Sequence, residues 1–155
     1  MTDQQFTAAA EAYTDMVYRI ALNWFRNVPD AEDVTQNTML RLCRTDTAFA
    51  DEEHLRYWLV RVAVNECKRL PKSFWRTRTV PLESCPEPAF SDEGRREVYR
   101  EVMALPGKYR VPLYLYYYEG YPVKDIAALL GMKPSTVQTR LARGREQLKT
   151  ILTEE

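Results

Sequence analysis

The sequence contains few of the residues on which most enzymes and metal proteins depend. It has one histidine and three cysteines, and neither a nucleophile signature nor a glycine-rich phosphate loop accompanies them. Cys43, Cys67 and Cys85 are odd in number and lack the paired spacing of zinc ligands. We therefore expect reduced cysteines, no metal site and no cofactor, and a helical enzyme has little support.

Long apolar runs and strand-like patterns are also missing. No stretch approaches the roughly 20 apolar residues of a membrane-spanning helix, and the N-terminus lacks the basic start and apolar run of a secretory signal. No β pattern persists, although residues 113–118, LYLYYY, are rich in strand-forming residues. These absences predict a cytoplasmic, all-α protein without membrane insertion.

The chain has no net charge, but its 22 basic and 22 acidic side chains are unevenly distributed. Residues 1–55 hold four basic side chains against ten acidic ones, whereas residues 56–78 hold seven basic side chains against Glu66 alone. Residues 134–149 hold four basic side chains against one acidic one. Two basic zones predict DNA contact at two places, and the acidic zone predicts another partner.

The stretch 121–149 has the pattern of a helix-turn-helix. Its first helix is short and carries an apolar stripe that includes Ile126 and Leu130. Gly131 can adopt the positive φ of a tight turn, and Pro134 suits the first turn of a second helix. Gly144 on the apolar face of that second helix predicts a close backbone approach to the preceding helix.

The opposite face of the second helix is small, polar and basic. Such a face fits the major groove of DNA, where base edges present donors and acceptors. An ordinary solvated face of an α-hairpin is the alternative interpretation. The candidate DNA-binding residues of this helix are Ser135, Thr136, Gln138, Thr139, Arg140, Ala142, Arg143 and Arg145.

The N-terminal half predicts three helices. The first stops near Pro29, and Asp30 offers the N-cap of the second. The third, from His54 to Pro71, has an apolar stripe in which Trp58 is predicted to belong to the core. The outer side of the second helix, read as solvated from composition alone, carries Glu32, Asp33, Gln36 and Asn37.

A row of side chains on the third helix suits a nucleic-acid strand, because cations bind phosphates and a ring or an amide binds an unstacked base. A solvated stripe is the alternative here too. The row consists of Tyr57, Arg61, Asn65, Lys68 and Lys72.

The C-terminal half begins after a proline-rich, aperiodic stretch, residues 72–91, which has the composition of a linker. A helix over 92–105, capped by Ser91 or Asp92, should follow. The next helix tolerates Pro112 only in its first turn, and Tyr114 and Tyr117 should form core or interface surface. The predicted fold is all-α, with two small helical domains joined by a flexible linker and a helix-turn-helix in the C-terminal domain.

These elements, in this order, resemble an extracytoplasmic-function (ECF) sigma factor over nearly the whole chain. Residues 30–36, DAEDVTQ, match the DAEDxxQ signature of region 2, and residues 58–65, WLVRVAVN, resemble its WLxRIAxN helix. Residues 105–131 follow the region 4 pattern LP…EGxSxxEIAxxLG, and residues 136–145 resemble TVKSRLxRAR.

The resemblance implies a function and a division of the chain into three segments. A region 2 domain, 1–71, would bind core RNA polymerase and the −10 promoter element, a linker would cover 72–96, and a region 4 domain, 97–155, would bind the −35 element. It also implies an anti-sigma factor as a partner. The implied polymerase contacts are Glu32, Asp33, Gln36 and Asn37; the implied −10 contacts are the loop 45–53 with Tyr57, Arg61, Asn65, Lys68, Arg69 and Lys72.

Two departures from the pattern bear on these expectations. Trp58 is followed by Leu59 where primary sigma factors have a tryptophan pair, which implies weaker promoter melting. Residues 121–124, YPVK, replace the usual serine and glutamate at the start of the first helix of the helix-turn-helix. A plain helix-turn-helix regulator is the alternative, and it would require a dimer to match half-site spacing.

Overall fold

The computed structural model describes residues 1–70 and 93–154, and all regular secondary structure in these ranges is helical. This confirms the predicted all-α fold. The chain divides into two compact units, Met1–Val80 and Pro81–Glu155. Most of the predicted linker lies outside the described residues, so its boundaries remain a prediction. The helices are α1 (Asp3–Phe25), α2 (Val28–Arg44), α3 (Glu52–Arg69), α4 (Glu93–Ala104), α5 (Gly107–Tyr117), α6 (Val123–Leu130) and α7 (Pro134–Glu154).

The junction between α1 and α2 differs from the prediction. Helix α1 ends at Phe25, where Arg26 adopts a left-handed conformation with φ 54°. Asn27 then caps α2, because its Oδ1 accepts a hydrogen bond from the Asp30 amide at 3.0 Å. The predicted Asp30 cap is therefore wrong. Pro29 lies in the first turn of α2, where its missing N–H costs no helical hydrogen bond.

The first unit is a three-helix core in which α1, α2 and α3 all pack on one another. Val17 of α1, Leu42 of α2 and Leu59 of α3 are completely buried. Two large apolar side chains lie at the margin of this core instead. Leu40 is 43% exposed, and Trp58 is only half-buried, so the assignment of Trp58 to the core is wrong.

The second unit places α5 at its centre, against α4, α6 and α7. Pro112 is buried within α5 rather than in its first turn, because the helix already begins at Gly107. The ring removes one helical hydrogen bond, and its burial offsets part of that cost. Tyr114 is buried as predicted, whereas Tyr117 is 49% exposed.

The turn between α6 and α7 follows the sequence prediction. Gly131 ends α6 in the left-handed conformation, with φ 69° and ψ 40°, and Pro134 opens α7. Gly144 is also at a close helix contact, but the neighbour is α5 and not the preceding helix. A Cβ atom added at Gly144 would lie 2.6 Å from Leu113 Cδ1 and 3.3 Å from Tyr109 Cβ.

This contact predicts that Gly144→Val destabilises the second unit by about 1–3 kcal/mol, the usual cost of overpacking. Leu113 is completely buried, and the close packing of protein interiors leaves a displaced side chain little room. Ala142→Val is the matched control, since Ala142 is exposed on the same helix. All three tryptophans precede residue 81. In a urea titration, the helical circular dichroism of Gly144→Val should therefore begin to fall at a lower urea concentration than that of the wild type. The midpoint of the tryptophan fluorescence transition should not change.

Candidate nucleic-acid interface

The N-terminal half of α7 presents the polar face that the sequence predicts. Within that face Thr139 donates its Oγ1 hydrogen to the Ser135 carbonyl at 3.0 Å. Arg145 donates from Nη1 to the Tyr117 hydroxyl at 2.9 Å and is held against α5. Of the eight candidate residues, Thr136 and Arg140 are half-buried, and the exposed ones are Ser135, Gln138, Thr139, Ala142, Arg143 and Arg145.

An open hollow of about 340 Å³ adjoins this face. Lys108 and Tyr109, at the start of α5, form one wall. The side chains of α7 form the other, with Arg140 and Arg143 among them. Three of the described residues that line the hollow are cationic and none is acidic, so its potential attracts anions. The α7 wall consists of Ser135, Thr136, Thr139, Arg140 and Arg143.

The predicted row on α3 is also at the surface. Arg61, Asn65 and Lys68 are exposed, and Tyr57 is half-buried. Lys72 lies outside the described residues. A mixture of cations, an amide and a ring along one side of a helix can bind a phosphate backbone and unstacked bases.

Arg69, which the resemblance adds to the −10 contacts, is held by an ion pair. Its Nη2 donates to Glu66 Oε2 at 2.7 Å, and Arg41 of α2 donates from Nε to Glu66 Oε1 at 2.8 Å. The Glu66 side chain is only 2% exposed, whereas the two arginine side chains are 56% (Arg41) and 66% (Arg69) exposed. The buried carboxylate therefore joins α2 to α3 and aligns two guanidinium groups at the surface.

These arginines border a second hollow of about 380 Å³ between α2 and α3. It brings together residues from two sites that the sequence treats as separate, since Asn37 was assigned to polymerase contact and Arg69 to the −10 element. Its described lining is Asn37, Leu40, Arg41, Arg44, Thr45, Trp58, Glu66 and Arg69.

The connection between α2 and α3 is held by Phe49. Its ring centroid lies 5.2 Å from that of His54 and 5.5 Å from that of Trp58, both in edge-to-face geometry. His54 Nδ1 accepts a hydrogen bond from the Ala50 amide, with an N···N distance of 3.0 Å. The backbone amide of His54 donates to Asp51 Oδ1. The predicted −10 loop thus rests on the half-buried Trp58, which explains why this tryptophan is not in the core.

Helix α1 is tied to the start of α3 by one short hydrogen bond. The Tyr13 hydroxyl donates to Glu52 Oε2 at 2.6 Å. This bond to a carboxylate, together with burial and the charge of Glu52, raises the pKa of Tyr13 to about 12. Tyr13 therefore stays protonated across the physiological pH range and keeps donating.

The DAEDVTQ motif at the start of α2, residues 30–36, contains both buried and exposed positions. Asp30 and Val34 are buried and belong to the core of the first unit. Glu32, Asp33 and Gln36 are exposed, and Asn37 is half-buried beside the second hollow. Buried positions of the motif therefore build the helix packing, while the exposed acidic and amide groups are available to a partner.

Comparison with known proteins identifies the family. Sigma-70 region 2 matches residues 9–78, and sigma-70 region 4 matches residues 95–148. SigM of Mycobacterium tuberculosis, an ECF RNA polymerase sigma factor, is 30% identical over 139 residues, which cover 88% of this chain and 71% of SigM. The chain belongs to the ECF RNA polymerase sigma factors.

Other relatives extend this finding. SigW of Bacillus subtilis is 27% identical to this sigma factor over 165 residues, which cover 95% of the chain and 88% of SigW. SigE of Mycolicibacterium smegmatis is 31% identical over 155 residues, although the match spans only 58% of SigE. The fold of sigma factor RpoE from Bartonella quintana, solved in complex with the anti-sigma factor NepR, is similar with a TM-score of 0.70 at 20% identity, covering 97% of this chain and 98% of that one.

Three residues of these surfaces escaped the sequence analysis of the sigma factor. Glu66 counted only as one acidic residue in a basic zone, Phe49 lay in a loop without periodicity, and Lys108 was not singled out by any pattern. The resemblance carried no role for Glu66 or Lys108, and it included Phe49 only as part of the loop 45–53. Among the described residues, no helix combines the length and apolar character needed to cross a bilayer.

Proposed function

We propose that this sigma factor binds core RNA polymerase and directs it to promoters, reading the −35 element as duplex with α7 and the melted −10 element with α3 and the loop before it. The observation that carries the proposal is the outward face of α7. Its exposed polar and arginine side chains lie beside a cationic hollow, as expected of a recognition helix with backbone contacts at its flank.

The remaining assignments follow from that role. The exposed Glu32, Asp33 and Gln36, with Asn37, bind the polymerase. The sigma factor catalyses no reaction itself, acts in the cytoplasm where its polymerase is, and is restrained by an anti-sigma factor. Its domains are 1–71 and 97–155, joined by a flexible linker, 72–96. Support for the anti-sigma factor comes from the similar fold of RpoE, which was solved with NepR.

The recognition helix is tested most directly by Arg143 and Arg140. Arg143 is exposed and should contact a base edge through O6 and N7 of a guanine. We expect Arg143→Ala to cost about 1–3 kcal/mol and to relax preference at one −35 base pair. Arg140 is half-buried at the hollow and should contact a phosphate. Arg140→Ala should weaken all sequences alike and reduce the salt slope by about one.

The measurement uses the full chain with core polymerase on a promoter selected from a library, and on variants of each −35 base pair, at several salt concentrations. Each variant serves as the control of the other. If Arg140→Ala relaxes base preference and Arg143→Ala does not, the helix is rotated by about one residue's turn, roughly 100°. If neither substitution changes binding, α7 does not read the −35 element.

A further inference from the structure

Lys108 contributes a positive charge to the recognition surface from outside the recognition helix. It lies at the start of α5 and lines the hollow together with Arg140 and Arg143 of α7. We propose that Lys108 binds a phosphate of the duplex that α7 reads, and that it acts as a positioning residue that fixes where α7 lies along the major groove. The proposal rests on the proposed function of α7.

The packing of α5 holds Lys108 in a defined place. Its Nζ lies 5.0 Å from the centroid of the Tyr109 ring, and this ring is buried beneath it. The next residue, Arg110, is also buried and donates from Nη1 to the Leu105 carbonyl at 2.9 Å, which fixes the start of α5 against the end of α4. A cation on such a fixed backbone loses less conformational freedom on binding than one on a loop.

Close contact between α5 and α7 sets the distance across the hollow. The absence of a side chain at Gly144 lets α7 approach Tyr109 and Leu113 of α5. Lys108 and Arg140 therefore face the same open space from two helices. Any change in the position of α7 relative to a phosphate held by Lys108 would require the two helices to repack.

A phosphate is the group that this arrangement fits. Among the described residues that line the hollow, the only charged groups are three cations. A lysine ammonium is a compact charge that binds phosphate without the planar geometry by which arginine recognises guanine. Phosphate and sugar receive half to two-thirds of protein–DNA hydrogen bonds, and these contacts set the register of a reading helix.

The test compares Lys108→Ala, Lys108→Arg and Lys149→Ala in the full chain with core polymerase. Lys149→Ala removes the same charge from α7 at a position that does not line the hollow. The probe is a promoter duplex selected by the wild-type protein, with all variants of its −35 base pairs, and binding is measured between about 50 and about 200 mM salt.

We expect Lys108→Ala to reduce the magnitude of the salt slope, which is the change of log K with log salt concentration, by about 0.9. When salt rises fourfold, the affinity of the wild type should therefore fall by a factor about three times larger than that of the variant. Base preference should weaken evenly over the −35 base pairs and not at one of them, and Lys108→Arg should restore the slope. An unchanged slope, or a slope reduced equally by Lys149→Ala, would overturn the phosphate contact. A changed preference at one base pair would overturn it in favour of base reading. Failure of the wild type to select any promoter would instead reject the proposed function, and this inference with it.

Discussion

Replacing Arg41 and Arg69 together by alanine should destabilise the first unit by about 3 kcal/mol. The double substitution leaves the Glu66 carboxylate buried without either of its ion pairs, and an uncompensated buried charge typically costs about 3–5 kcal/mol. We expect the lower end because both arginine side chains are more than half exposed, so water can enter where they stood. Against a total stability of about 5–15 kcal/mol, this is a large loss.

Matched variants separate this effect from a loss of surface charge. Arg44→Ala with Arg61→Ala removes the same charge from exposed positions of α2 and α3 and should change stability little. Adding Glu66→Leu to the first double variant should restore most of the loss, since apolar replacement of a buried ion pair is often neutral. Tryptophan fluorescence in urea follows the first unit. Equal unfolding midpoints for the two arginine double variants would show that the stability of the first unit does not depend on the ion pairs of Glu66.

The features that the sequence predicts best are those set by local backbone chemistry. Gly131 takes the left-handed conformation and Pro134 opens α7, because each depends only on the φ that its own residue allows. The two prolines that misled the prediction show the limit of the rule. Pro29 and Pro112 both lie within helices whose starts are set upstream, by Asn27 and Gly107 respectively.

The spacing of residues along the sequence could not predict contacts between residues that are distant in the chain. Periodicity shows which face of a helix is apolar, but not which helix covers it, so Gly144 was matched to the preceding helix and not to α5. Charge counting does not predict that Glu66 is buried, because the ion pair that makes its burial tolerable includes Arg41, 25 positions earlier in the chain. Trp58 was assigned to the core because it lies on the apolar stripe of α3, and its contact with Phe49 was not predicted because Phe49 lies in a loop without periodicity.

The predicted polymerase face should be sensitive to reversal of a single charge. Asp33→Arg combined with Gln36→Ala should abolish assembly with core polymerase, because a reversed charge at a desolvated contact costs about 2–5 kcal/mol or more. That loss corresponds to a rise in Kd of about 30-fold to several thousand-fold. Both side chains are exposed on α2, so helical content and unfolding midpoint should not change.

A matched control lies on another helix of the same unit. Glu11→Arg with Gln4→Ala makes the same two chemical changes at exposed positions of α1, and it should assemble like the wild type. Binding is measured by titrating labelled sigma factor with core polymerase at low and moderate salt. If both double variants lose assembly equally, the effect comes from overall charge and not from a contact. If the α2 variant binds undiminished, its acidic side is an ordinary solvated helix face, as composition alone had suggested.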